Sequence, residues 1–116
     1  MILSYSPLFA CSGIQWSVKV YSKTKDFDDW LNVFVQPELK LESVEVAAEV
    51  RLINVNPSST IKKQFDHTFT KPMPAGFADY IEMFTLDQKN GFLNNSGEIE
   101  LEIYLKVTNN KSLAEI

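Results

Sequence analysis

AGFADYIEMFTLDQKNGFLNNSGEIELEIYLKV, residues 75–107, is the stretch that decides the fold. In its last part, residues 98–107, apolar side chains alternate strictly with glutamates, a tyrosine and a lysine. A period of two predicts a β-strand with one buried side and one side in water. The first third carries apolar residues at spacings of three and four, namely Phe77, Tyr80, Ile81 and Phe84. That spacing predicts a short helix of about two turns near residues 77–85.

The other segments with a regular hydrophobic pattern also predict strands. Residues 14–21 alternate, with Trp16 as the buried anchor of the strand, whereas residues 30–36 carry large apolar groups on both faces. Residues 44–55 and 61–70 complete the predicted strands. Because strands dominate and do not alternate with helices, the sequence predicts an all-β fold, an antiparallel β-sandwich.

The remaining segments predict loops and the ends of one domain. Residues 22–29 are polar and charged, which indicates a loop, and residues 1–12, with Pro7 midway, indicate an irregular or edge segment. Residues 108–116 are predicted to be a frayed C-terminal tail. A chain of 116 residues has the length of a single domain, predicted here for residues 1–107.

Composition and charge exclude several classes of function. The net charge is −4 and the only adjacent basic pair is Lys62-Lys63, so no basic face is available for nucleic acid. No apolar run approaches the roughly 18 residues that a membrane helix needs. Cys11 is the single cysteine, which rules out a disulfide within the chain and fits a reducing compartment. The prediction is therefore an intracellular protein, cytoplasmic or nuclear, that binds neither nucleic acid nor membranes.

No group of residues supports catalysis or metal binding. His67 is the only histidine, and no partners of the right type and spacing form a triad or a zinc site with it. The aspartates of residues 26–29 lack the glycine and the distal glutamate of a calcium loop. Carboxylate pairs serve glycoside hydrolysis, but the glutamates of residues 98–102 are more simply the solvent-facing side of a strand. The sequence therefore predicts a protein that is not an enzyme and holds no cofactor or metal.

The N-terminus leaves a second interpretation open. Residues 8–11 resemble a bacterial lipoprotein cleavage box, although no Lys or Arg precedes them and polar residues interrupt the apolar stretch. In this interpretation the protein is a secreted or lipid-anchored β-sandwich that binds glycans through Trp16 or Trp30. It requires that at least one of the two indole rings be exposed.

Five short motifs occur in a fixed order. They are Ile-Gln-Trp-Ser-Val-Lys-Val-Tyr at 14–21, Asp-Trp-Leu-Asn-Val-Phe-Val at 29–35, Val-Arg-Leu-Ile-Asn at 50–54, Gly76-Phe77 followed by Tyr80-Ile81, and Asn90-Gly91-Phe92-Leu93. Together these motifs resemble the MATH (meprin and TRAF homology) domain. Their order and spacing hold from about residue 3 to residue 107.

The resemblance implies a TRAF-like sandwich of eight antiparallel strands that binds short extended peptides of partner proteins in a shallow groove. Some family members recruit substrates to ubiquitin ligases, and others bind receptor tails, so substrate recruitment in ubiquitin signalling is one implied role. Family domains normally begin with a further strand that pairs with the last one. Without it, seven to eight strands are expected, and the unpaired last strand would favour a homo-oligomer unless residues 1–6 substitute in part.

The resemblance also implies which residues line the peptide groove. They are Lys19, Phe34, Val50, His67, Phe69, Met73, Ala75, Gly76 and Phe77. Lys19 keeps the basic charge of the family, and Phe34 keeps a ring without the hydroxyl group. Ala75 stands where the family has the tryptophan of Trp-Gly-Phe, and loss of an aromatic anchor typically costs an interface about 2 kcal/mol or more. The groove is therefore expected to bind peptides other than those that the family's adaptors bind, or no peptide.

Overall fold

The computed structural model describes residues 2–5, 9–11, 13–39 and 43–111, which form two antiparallel sheets. Sheet A contains β1 (Ile2–Tyr5), β2 (Phe9–Cys11), β3 (Ile14–Lys25), β4 (Asp28–Pro37) and β7 (Ala75–Glu82). Sheet B contains β5 (Ser43–Leu52), β6 (Ile61–Phe69) and β8 (Leu101–Lys111). Pro57–Ser59 and Met83–Thr85 form single 3₁₀ turns. The predicted all-β antiparallel sandwich is confirmed.

The order of the strands determines which edges are free for further contacts. Sheet A has the order β1-β3-β4-β7, with β2 also paired to β3, and sheet B has the order β6-β5-β8. In the described part of the chain, β7 is therefore an edge of sheet A, while β6 and β8 are the two edges of sheet B.

The core lies between the sheets and is built from the inward-facing row of each strand. Trp16 of β3 has no exposed surface and packs edge-on against Phe69 of β6, with ring centroids 5.5 Å apart. This contact joins sheet A to sheet B and confirms that Trp16 is a buried anchor. The buried cluster consists of Ile14, Trp16, Val18, Val20, Leu31, Val33, Val35, Val44, Val46, Val50, Leu52, Phe69 and Tyr80.

The helix predicted near residues 77–85 is wrong for most of its length. Residues up to Glu82 belong to strand β7, and only Met83–Thr85 turn, as one 3₁₀ turn. The reason is a bulge in β7. Phe77 pairs with Val33 and Ile81 pairs with Leu31, so four residue steps along β7 lie opposite only two residue steps along β4. Asp79 lies in this bulge with a φ of 59°. The extra residues interrupt the period of two and produce the helix-like spacing of the apolar residues.

The loop predicted for residues 22–29 is also wrong. β3 continues to Lys25 and β4 begins at Asp28, and the two strands are joined by a tight turn at Asp26 and Phe27. Both turn residues have a positive φ, which matches the twist of a two-residue hairpin. Residues 23–29 are exposed, so this end of the hairpin lies beyond the core and needs no apolar face.

The ends of the chain differ from their sequence-based predictions. β8 continues to Lys111, where it pairs with Ser43, and so extends into the tail predicted for residues 108–116. Ile2–Tyr5 pairs with β3 and not with β8, so residues 2–5 do not take the place beside the last strand. Residues 1, 6–8, 12 and 112–116 lie outside the described residues.

Candidate functional site

The edge strands β6 and β7 come together along one side of the sandwich. Phe65 of β6 packs edge-on against Phe77 of β7, with ring centroids 5.4 Å apart. The ammonium group of Lys63 donates to the carbonyl oxygen of Tyr80 over 2.5 Å. The segments of the two strands that carry these contacts are here named the β6–β7 border (residues 63–69 and 75–80). Among the described residues, no further strand pairs with the outer edge of β6 or β7.

On the outer face of sheet A, a row of side chains leads to this border. Lys19 lies opposite Phe34, and Phe34 lies opposite Gly76, so the three residues share one face across β3, β4 and β7. The Phe34 ring stacks on Tyr21 with centroids 5.9 Å apart, and the Lys19 ammonium lies 5.3 Å from the Tyr21 ring centroid. This row, named the Lys19–Gly76 row (Lys19, Tyr21, Phe34 and Gly76), combines a cation with two aromatic rings.

Gly76 keeps the end of this row flat. A Cβ atom on Gly76 would lie 2.3 Å from the carbonyl oxygen of Val33 and 2.9 Å from the Cα atom of Phe34. Both atoms belong to the backbone of β4, which is held in the sheet and cannot move aside. Glycine is therefore required for the close pairing of β4 with β7. As a consequence, residue 76 places no side chain beside Phe34, its partner in the ladder.

The structure separates the nine predicted groove residues into three groups. Val50 and Phe69 are each 1% exposed and belong to the core. Phe77 and Ala75 lie opposite Val33 and Val35, which places them on the inward-facing side of β7, where both are half-buried.

The other five predicted groove residues lie on the outer face of sheet A or are exposed. Lys19, Phe34 and Gly76 form the row on the outer face described above. His67 is exposed and packs edge-on against Phe69, with centroids 4.6 Å apart. Met73, in the loop before β7, is 61% exposed. The structure thus brings four of these five residues to the border or to the row that leads to it, while Met73 lies in the loop before β7.

Two polar residues that support the border were missed by the sequence analysis. Asn32 is 1% exposed, and its side-chain oxygen accepts a hydrogen bond from the backbone N–H of Asp79 over 3.0 Å. The Asp79 carboxylate in turn pairs with Lys25 over 2.7 Å. An amide in the middle of the apolar run 31–35 was a usable signal, since a buried polar side chain normally has a specific partner. Asn32 and Lys25 hold the β7 bulge in place from β4 and β3.

Tyr80 connects the border to both sheets. Its hydroxyl group lies 2.7 Å from the carbonyl oxygen of Val50 and 3.1 Å from that of Ile61. The ring is 2% exposed, and burial raises the pKa of Tyr80 to about 12 because the phenolate would lose its hydration. The free energy of unfolding should therefore depend on pH in the alkaline range.

We expect the wild type to lose stability relative to Tyr80→Phe as the pH rises from 10 towards 12. In this range an unfolded tyrosine ionises while the folded Tyr80 stays protonated, so the unfolded state is favoured. The loss is about 1 kcal/mol by pH 11 and at most about 2 to 3 kcal/mol. Urea unfolding of both proteins at a series of pH values measures it. Parallel declines of the two proteins would contradict the raised pKa.

The described residues also bear on the alternative interpretations. They contain no group of three or more His, Cys, Asp or Glu side chains placed to hold a metal ion. Trp16 is fully buried, while Trp30 is half-buried, so a glycan could reach only the latter indole. In the same part of the chain, no helix is long and apolar enough to cross a membrane.

Comparison with known proteins identifies relatives of the whole domain. The family model described as the MATH domain matches residues 3–107. A probable inactive serine/threonine-protein kinase of Dictyostelium discoideum, fnkC, is 32% identical over 111 residues, which cover 84% of this chain and 8% of that protein. A TNF receptor-associated factor family protein of the same organism is 26% identical over 108 residues, covering 90% of this chain and 24% of that protein. The chain thus spans less than a quarter of the length of either relative.

Proposed function

Because the chain belongs to the MATH domain family, we propose that it binds short extended segments of partner proteins along the β6–β7 border. MATH domains are non-catalytic modules for protein–protein interaction. The observation that supports this site is the free edge of β7 beside the Lys19–Gly76 row. An edge strand offers backbone groups to an incoming strand, and the row offers side-chain contacts to the same ligand.

The backbone supplies the affinity that does not depend on peptide sequence. An extended peptide placed beside β7 extends sheet A by one strand, with backbone hydrogen bonds and a spacing of about 4.8 Å. Alternate side chains of that peptide then face the outer side of sheet A. Since Gly76 has no side chain, one of them crosses β7 without obstruction and reaches the Phe34 ring.

The Lys19–Gly76 row supplies the selectivity. A peptide side chain that crosses Gly76 meets Phe34 first and the Lys19 ammonium beyond it. An apolar or a long acidic side chain fits this order, because the aromatic ring takes apolar contacts and the ammonium takes a carboxylate. We expect Met73 and His67, which are both exposed, to contact the flanking peptide residues. Val50 and Phe69 act through packing, since neither has surface to offer a ligand.

Peptide selection from a library of short random sequences tests this proposal. For the selected peptides, Phe34→Ala should weaken binding about 10- to 30-fold, and Lys19→Glu should reverse any preference for acidic residues. Phe27→Ala is the matched control, because Phe27 is fully exposed at the hairpin turn and belongs to neither the border nor the row. Selected peptides that bind wild type and Phe34→Ala equally well would contradict the proposed site.

A second arm of the experiment tests the contribution of the backbone. N-methylation of alternate peptide residues removes the N–H groups that face β7 and should abolish binding, while methylation of the residues between them should be tolerated. Equal effects at both sets of positions would contradict strand addition.

We also propose an intracellular adaptor role that includes substrate recruitment in ubiquitin signalling. The resemblance to MATH adaptors and the similarity to a TNF receptor-associated factor family protein support the adaptor part. The single cysteine fits the reducing interior of the cell. In cells, Phe34→Ala should reduce the ubiquitination of proteins that co-purify with the wild type; unchanged ubiquitination would contradict the role.

A further inference from the structure

The outer edge of β7 is limited at its start by proline. β7 begins at Ala75, and Pro72, Met73 and Pro74 come directly before it. Because proline has no backbone N–H, Pro74 cannot donate a hydrogen bond to an added strand. The side-chain amide of Gln36 donates to the carbonyl oxygen of Pro72 over 3.0 Å and so ties this loop to β4. The first N–H donor of the β7 edge is therefore that of Ala75.

The same edge is limited at its other end by the bulge and by Lys63. Asp79 has a φ of 59°, so the backbone leaves the extended conformation at this residue. One residue later, the carbonyl oxygen of Tyr80 already accepts a hydrogen bond from the Lys63 ammonium over 2.5 Å. β7 then ends at Glu82. Since bulges interrupt regular pairing, the continuous edge that a bound segment can use consists of residues 75–78.

The Lys63 ammonium has further donors for a ligand. An ammonium group carries three N–H donors, and the carbonyl oxygen of Tyr80 takes one of them. The ammonium also lies 4.6 Å from the centroid of the Tyr80 ring. Among the residues that the structure describes, no carboxylate forms an ion pair with Lys63, which is half-buried. A carboxylate of a bound segment would therefore gain a charge-assisted hydrogen bond where the edge of β7 ends.

We propose that Pro74 and the Asp79 bulge restrict a bound segment to residues 75–78 of the β7 edge, and that Lys63 selects an acidic group where the segment leaves it. This inference rests on the proposed function, because it names the ligand class of the same border. A strand of four residues spans about 13 Å. Only alternate residues of a strand turn their N–H and C=O groups towards one neighbour, so the ladder is short. The acidic contact then contributes much of the selection.

A pair of peptides provides the first test. A selected peptide with a glutamate at the end of its bound stretch is compared with the same peptide carrying glutamine instead. We expect Lys63→Met to weaken binding of the acidic peptide about tenfold and to leave the amide peptide almost unchanged. Because both peptides use the same border, any general disturbance by the substitution cancels in the comparison. Equal losses for the two peptides would overturn the role of Lys63.

Lys62→Met is the matched control for this substitution. Lys62 lies opposite Arg51 on the outer face of sheet B, whereas its neighbour Lys63 lies opposite the buried Val50. Both variants change the net charge equally, so a long-range effect of charge would weaken the acidic peptide to the same extent in each. We expect no change in Lys62→Met. The same tenfold loss in both variants would contradict a direct contact with Lys63.

Single N-methylation along the selected peptides tests the length of the ladder. The methyl group removes one N–H at a time, and the sensitive positions should all fall within four consecutive peptide residues, to match residues 75–78. Sensitive positions spread over a longer stretch would show that Pro74 and the bulge do not limit the ladder. If such peptides still depend on Phe34, this inference fails and the proposed function stands. If no selected peptide depends on Phe34, both fail.

Discussion

Gly76→Ala should lower the free energy of unfolding by about 3 kcal/mol and abolish peptide binding at the β6–β7 border. The added methyl group would lie 2.3 Å from the carbonyl oxygen of Val33, on the backbone of the paired strand. Since β4 is central in sheet A, β7 must move outward to relieve the clash. That movement breaks the pairing of Phe34 with Gly76 and separates the free edge from the row beside it. Urea unfolding and binding of the selected peptides measure the two effects.

Gly97→Ala is the matched control for this substitution. Gly97 has a φ of 75°, and a Cβ atom there would meet nothing within 4 Å. Alanine at this position is strained only by its left-handed backbone, which costs about 1 to 2 kcal/mol. Peptide binding should be unaffected because the turn lies before β8, away from the border. If both variants lost the same stability and the same binding, the close approach of β4 would not be the cause.

Trp16→Ala should be the most destabilising substitution in the chain, with a loss of about 3 to 5 kcal/mol. The indole has no exposed surface and carries the contact between the sheets through Phe69. Its removal leaves a cavity that the strand ladders on both sides cannot close. A domain of this size is stable by about 5 to 15 kcal/mol, so much of the protein would be unfolded at physiological temperature.

The matched control is Trp30→Ala, because Trp30 is half-buried and lies on the same hairpin of sheet A. It should cost less than half as much stability. Far-UV circular dichroism in urea follows both transitions, since tryptophan fluorescence is altered by the substitutions themselves. Equal losses in the two variants would show that the contact between Trp16 and Phe69 does not dominate the core.

Strands with an uninterrupted period of two could be located from the sequence. β3, β5 and β8 each have one buried and one solvent-facing side. The sequence shows this difference directly, because apolar and polar residues alternate along each of these strands. The helix predicted near residues 77–85 failed because its spacing has another cause. The bulge at Asp79 is contacted by Asn32 and Lys25, which are distant in sequence and become its partners only in the folded sheet.

The candidate site shows the same division between sequence and structure. Lys19, Phe34 and Gly76 were assigned to the groove from the family resemblance, and the structure places them in one row across three strands. Val50 and Phe69 were assigned on the same basis, yet they lie in the core. A residue type and its spacing do not specify whether a side chain at the border faces water or the opposite sheet.

The sequence by itself determined the sandwich, its main strands and the family, because burial alternates along a strand and the motifs keep their order. Only the tertiary structure decided which strands are edges and which side chains have surface. Strand order depends on pairing between segments far apart in the chain, and no local pattern encodes it. The stretch 75–107 illustrates both points, since its alternating end was predictable as a strand while the free edge of β7 was not.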